Sequence, residues 1–107
     1  MSDPGKLRHR LVLEAPAEAD DGAGGVVRAY DNIATVWAAI MPVALSEQIA
    51  AEALGARLTH RIVFRAGVDV TTRHRFKLGS RVFRVVAIRD PDETGRFHEI
   101  HAEERAD

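Results

Sequence analysis

The 107 residues contain no cysteine, which excludes disulfides, cysteine-ligated metal and a thiolate nucleophile together. Lysine is nearly missing too. Of the 15 basic side chains 13 are arginine, whose planar guanidinium suits fixed carboxylate or phosphate partners better than an ammonium does. No apolar run approaches the roughly 20 residues that span a bilayer, and Met1 to Lys6 lack the apolar stretch of a secretion signal. The chain is therefore expected to be soluble and cytoplasmic when made, without membrane contact. Serine occurs only at Ser2, Ser46 and Ser80, none in a nucleophile-elbow setting, so covalent catalysis has no candidate residue. Glycines 22, 24 and 25 are followed by neither a Lys-Ser/Thr pair nor a helix start, so they do not make a phosphate loop.

What is present suits one small core. Hydrophobic residues make up 46% of the chain, but 17 are alanine, which leaves 32 larger side chains for the interior. A single domain over residues 1–107 is expected, with 1–5 and 104–107 as flexible tails. The formal net charge of -1 hides a segregation: residues 1–56 carry net -4, residues 57–89 net +8 and residues 90–107 net -5. A cationic middle is flanked by two anionic segments.

Hydrophobic alternation dominates the pattern. Leu7, His9, Leu11 and Leu13 alternate with Arg8, Arg10, Val12 and Glu14, as a half-buried strand requires. Residues 15–25, with Pro16, Asp20, Asp21 and three glycines, read as a mobile loop. The chain extends again from Val26, and Ile33 to Met41 is apolar on both faces until Pro42 stops it, which suggests a central or covered strand. Ser46 is placed to cap a short helix with Glu47 in its first turn and Gly55 as its stop. Four further strands follow, over Leu58 to Arg65, around Phe76, over Arg81 to Arg89 and over Phe97 to Glu103, the last after the acidic turn at 90–95. Six or so strands and one helix between the second and third predict a mostly β, antiparallel small barrel or sandwich. The expected core includes Leu11, Trp37, Ile40, Ile62, Phe64, Phe83 and Val85.

Catalytic and metal chemistry is poorly represented. His98 and His101 stand three apart beside Glu99 and Glu103, but on a strand that spacing sends the two rings to opposite faces. Neither a metal nor a cofactor is expected. Asp20 with Asp21 and Glu103 with Glu104 supply acids, but no pocket frames them, so the chain reads as a non-enzyme.

The arginine-rich middle has two readings. Arg61, Arg65, Arg73, Arg75, Lys77, Arg81 and Arg84 would line a surface that tracks phosphates or meets an acidic neighbour, or they are the solvent-facing half of alternating strands. Asp20, Asp21, Glu47, Glu52, Asp92 and Glu93 offer the complementary acidic surface, which would let copies dock head to tail around a ring. An alternative class is a small barrel binding single-stranded nucleic acid. It needs exposed aromatics on the basic face, and the two in the cationic stretch, Phe76 and Phe83, alternate as core residues.

The order of features resembles the phage head-tail joining family, the head-closure or stopper proteins of tailed phages and of phage-derived gene transfer agents. A first strand with Leu7, Arg10 and Leu13 precedes a glycine-containing segment and the aromatic strand Val36 to Pro42. Ser46 and Glu47 follow where the family usually shows a small residue and a glutamate, and His60 to Arg65 resembles its strand ending in an apolar residue and arginine. Gly79 to Val85 resembles its glycine, basic, aromatic, aliphatic strand, and an acidic turn and last strand complete the order to Glu103. Ala66 stands where the family usually carries an aromatic.

The resemblance implies a small β-barrel that forms a ring of six or twelve copies in the virion. That ring would lie between an adaptor or portal-side ring protein and a tail-terminator or tail-tube protein. It would surround packaged double-stranded DNA, help retain it, and perform no bond chemistry.

Overall fold

A computed structural model of the chain describes residues 7–20 and 26–105. Its elements are β1 (His9–Asp20), β2 (Val26–Pro42), α1 (Leu45–Ala53), β3 (His60–Arg65), β4 (Arg75–Leu78), β5 (Arg81–Arg89) and β6 (Phe97–Arg105). The six strands close into an antiparallel barrel in the order β1-β2-β3-β6-β5-β4. Alternation along each strand decides what fills it. Leu11 and Leu13 of β1, Ile62 and Phe64 of β3, Phe76 of β4, Phe83 and Val85 of β5, and Ile100 and Ala102 of β6 are all fully buried. Phe64 meets Phe76 edge to face with ring centroids 5.5 Å apart. Ile40 is half-buried against this cluster.

Trp37 is not in the core. The β1–β2 register sets Leu11 opposite Val36 and His9 opposite Ala38, so Val36 and Ala38 point inward and Trp37 outward, where it is 55% exposed beneath Arg10. Small inward residues on β2 leave the barrel's width to three phenylalanines from its other strands.

The segment read as a mobile loop is largely strand. Residues 15–20 continue β1 and pair with 26–31, from Ala15 opposite Asp31 to Asp20 opposite Val26, while Asp21 to Gly25 lie outside the described residues. Pro16 is tolerated because β4 pairs with β1 only from Val12 to Glu14, which leaves Pro16 on an edge without a second partner. A bulge sits where this ribbon leaves the barrel: Leu13 faces Ala34, Glu14 faces Asn32, and Ile33 has no opposite residue.

The tail expected from residue 104 is likewise strand through Arg105, since Glu104 pairs with Phe83 and its amide donates to Thr59 Oγ1 at 2.6 Å. The tail expected at 1–5 falls outside the described residues. Ser46 does not cap α1, whose N-cap is Ala44 without a side-chain hydrogen bond. Gly55, at φ +82, does supply the stop, its amide donating to the Glu52 carbonyl at 3.0 Å.

The connectivity gives the barrel two unlike ends. At one end lie the ribbon, the 66–74 segment and the acidic 90–96 turn; at the other lie α1, the Gly79–Ser80 turn and the end of β6.

Candidate functional site

Most of the arginines singled out from the sequence find carboxylates within their own chain. Arg61 Nη2 donates to both oxygens of Glu47 at 2.9 and 2.7 Å, tying α1 to β3, and its Nε lies 3.5 Å from Glu99 Oε2. Arg75 Nε donates to Glu14 at 2.7 Å, Arg84 Nε to Glu103 at 3.3 Å, and Arg81 grips Glu104 through Nε and Nη2 at 2.7 and 3.1 Å. The segregation along the sequence is thus a consequence of strand order. Basic β4 and β5 lie between β1, which supplies Glu14, and β6, which supplies Glu99, Glu103 and Glu104.

Arg65, Arg73 and Lys77 make no ion pair among the described residues, and Arg65 lies over the Phe97 ring. Of the acidic candidates, Glu47 is taken by Arg61, while Glu52, Asp92 and Glu93 pair with no cation among the described residues. The side chains of Asp20 and Asp21 lie outside what is described.

Two charged centres escaped the sequence reading. Glu14 is 7% exposed at the base of the ribbon, held by Arg75, whose guanidinium lies 3.6 Å above the Tyr30 ring. Cross-strand register puts them together: Glu14 faces Arg75 on β4, and Tyr30 faces Pro16 two residues further along β1. Glu99, also 7% exposed, is surrounded by His101 Nε2 at 2.8 Å, Arg61 Nε at 3.5 Å and Arg89 Nε at 3.9 Å. Neither carboxylate has a signal in the linear sequence, because burial of Glu14 and Glu99 follows from register. Among the described residues no three metal-ligating side chains converge. No helix there is long and apolar enough to cross a membrane.

At the helix end, Thr59 Oγ1 accepts the Glu104 amide and contacts His60 Nδ1 at 2.9 Å, and the His60 ring lies edge-on to Phe83. Burial holds the His60 pKa below its ordinary value of 6.5, opposed by Glu104 and reinforced by Arg81. The hydrogen bond from Arg81 lowers the Glu104 carboxyl, and the same bond raises Arg81.

A histidine with a depressed folded pKa contributes stability above its unfolded value that is lost as pH falls below about 6.5. A carboxylate with a depressed pKa loses its contribution at lower pH still, below its ordinary value of 4.5. Thermal unfolding is therefore expected to shift to lower temperature between pH 7.5 and 5.5, and His60→Gln to flatten that dependence. An unchanged slope in the variant would clear His60 of the effect.

Exposed apolar side chains form the remaining feature. Ile33, Trp37 and Met41 are exposed on β2, and Leu45, Ile49 and Leu54 on and just after α1, at 38 to 88%. Phe76 and Phe83 are fully buried, so the cationic strands carry no stacking platform for single-stranded nucleic acid.

Residues 2–105 match the family model described as phage head completion protein. The fold is similar to the solution structure of protein SF1141 from Shigella flexneri 2a, at 27% identity and a TM-score of 0.77 over 98% of both chains. It is also similar to a chain in the virion of a native gene transfer agent particle, at 27% identity and a TM-score of 0.65, covering 92% of this chain and 94% of that one. The chain matches no curated protein.

Proposed function

Because this chain belongs to the phage head completion protein family, a structural family of virion components, we propose that it acts as a head-tail connector, forming the ring that closes the head and receives the tail. The observation that carries this reading is that the barrel, over 92% of its length, has the fold of a chain in an assembled gene transfer agent virion. Copies of this chain would surround the channel, with an adaptor or portal-side protein at one end and a tail protein at the other.

Three properties of the molecule support that role. Its two ends differ chemically, one carrying the ribbon and acidic turn and the other a helix that exposes Leu45 and Ile49, with Leu54 just after it, as a part between unlike neighbours requires. Arg61, Arg75, Arg81 and Arg84 are neutralised by carboxylates of the same chain, so these four are not free to grip the phosphates of a passing duplex. The apolar side chains left outside are available for protein contact. The chain's work is then mechanical closure, without catalysis.

The reading is tested by removing the protein from particle-producing cells. Heads are expected to fill, then fail to acquire tails and lose DNA to added nuclease. Particles that carry tails and keep their genomes without it would overturn the reading.

A further inference from the structure

The first two strands outrun their neighbours. β1 pairs with β4 only at Val12, Leu13 and Glu14, and β2 with β3 only from Ala38 to Pro42, although β1 and β2 stay paired out to Asp20 and Val26. Each strand of the resulting ribbon therefore has one edge with no partner among the described residues, 15–20 on β1 and 26–37 on β2. Such an edge presents backbone donors and acceptors to any strand that arrives, and folded proteins commonly guard it with lysine, proline or a covering segment.

The β1 edge carries Pro16 close to the barrel, which leaves residues 17–20 of that edge able to pair. The β2 edge has neither lysine nor proline, is rich in strand-forming residues, and is left uncovered by the described residues: Ala29, Asp31, Asn32, Ile33, Thr35 and Trp37 are all exposed. Ile33 and Trp37, at 48% and 55%, would be partly covered by a strand laid beside them.

We infer that the ribbons of neighbouring copies pair edge to edge, the β2 edge of one copy receiving the β1 edge of the next. The inference rests on the connector reading above and names the contact that builds the ring. The occupant is a second copy for a reason of symmetry. Copies related by rotation about one axis hold their ribbons in the same direction, and β1 and β2 run oppositely within each ribbon. The β2 edge of one copy therefore meets the β1 edge of the next antiparallel, the more stable ladder. Each copy brings one edge of each kind, so the contact repeats around the ring until it closes. Pairing β2 with β2 would instead stop at two copies with their ribbons pointing opposite ways.

The absence of native cysteine makes single-cysteine variants clean reporters. Ala17 and Ala29 face one another within a ribbon, so the two replacements are put on separate chains. Particles are assembled from a mixture of Ala17→Cys chains with Ala29→Cys, Asp31→Cys or Ile33→Cys chains, the three partners allowing for stagger between ribbons. After mild oxidation, at least one mixture is expected to give a disulfide-linked dimer on a non-reducing gel, more than tenfold above particles built from either variant alone.

A dimer from a β2 variant alone would place β2 against β2 and overturn the inference, as would a disulfide to a different polypeptide. No dimer from any mixture, in tailed particles that contain the chain, would overturn edge pairing and leave the connector reading standing. Tailed particles that lack the chain altogether would remove both.

Discussion

Phe64→Ala is expected to lower the unfolding free energy by about 3–5 kcal/mol, the range for deleting a buried aromatic ring. Phe64 is fully buried in β3, between Ala38 of β2 and His98 of β6, with its ring edge-on to Phe76. The size of the effect depends on how far the walls can fall inward. In a closed barrel each wall is fixed by ladders on both sides, so the cavity persists and its cost adds to the lost transfer energy. A domain this size has about 5–15 kcal/mol in total, so urea titration should show the midpoint falling by about a fifth or more. Phe64→Leu keeps most of the volume and should cost less than half as much. A loss under about 1.5 kcal/mol for the alanine variant would mean that this interior is not the closed, filled space described.

The barrel was legible in the sequence because alternation is a local property. Leu11, Ile62, Phe64, Phe83 and Val85 sit at period-two positions of their strands, and each faces inward. Alternation does not say which of two apolar faces is inside, and on β2 that choice follows from pairing with β1. The expected core includes Trp37, whereas the register gives the interior to Val36 and Ala38.

The ribbon was obscured for a different reason. Alanine, proline, acids and glycine suit turns when read alone, but residues 15–20 need no hydrophobic face to remain extended once 26–31 lie opposite. The charge pattern is visible in the sequence, and which carboxylates lie opposite each arginine is not. Arginines 61, 75, 81 and 84 looked like a surface awaiting a partner, and the strand order supplies that partner from β1, α1 and β6 of the same chain.

Arg75→Ala is expected to cost about 3 kcal/mol, most of it through the carboxylate it leaves behind. Glu14's side chain is 10% exposed and Arg75's 29%, so removing the guanidinium strands a charge that water hardly reaches. Loss of the stack on Tyr30 adds to this, by an amount typical of a partly desolvated cation over an aromatic ring, about 1 kcal/mol. The estimate stays at the lower end of the range for broken buried pairs because Arg75 itself retains some solvent.

Arg75→Lys keeps the charge without the planar stack and should fall between wild type and alanine. The double variant Glu14→Leu, Arg75→Met removes both charges at once and should recover roughly 2 kcal/mol of the loss, a coupling that a double-mutant cycle in urea would measure. That recovery separates stability from position. Arg75, the first residue of β4, joins Glu14, the last β4-paired residue of β1, to a tyrosine already on the ribbon, and so fixes the direction in which the ribbon leaves the barrel. The double variant should therefore fold with near wild-type stability yet enter particles poorly, because its ribbon no longer meets its neighbour at a fixed angle. Full incorporation of a well-folded double variant would show that the clamp serves the barrel alone.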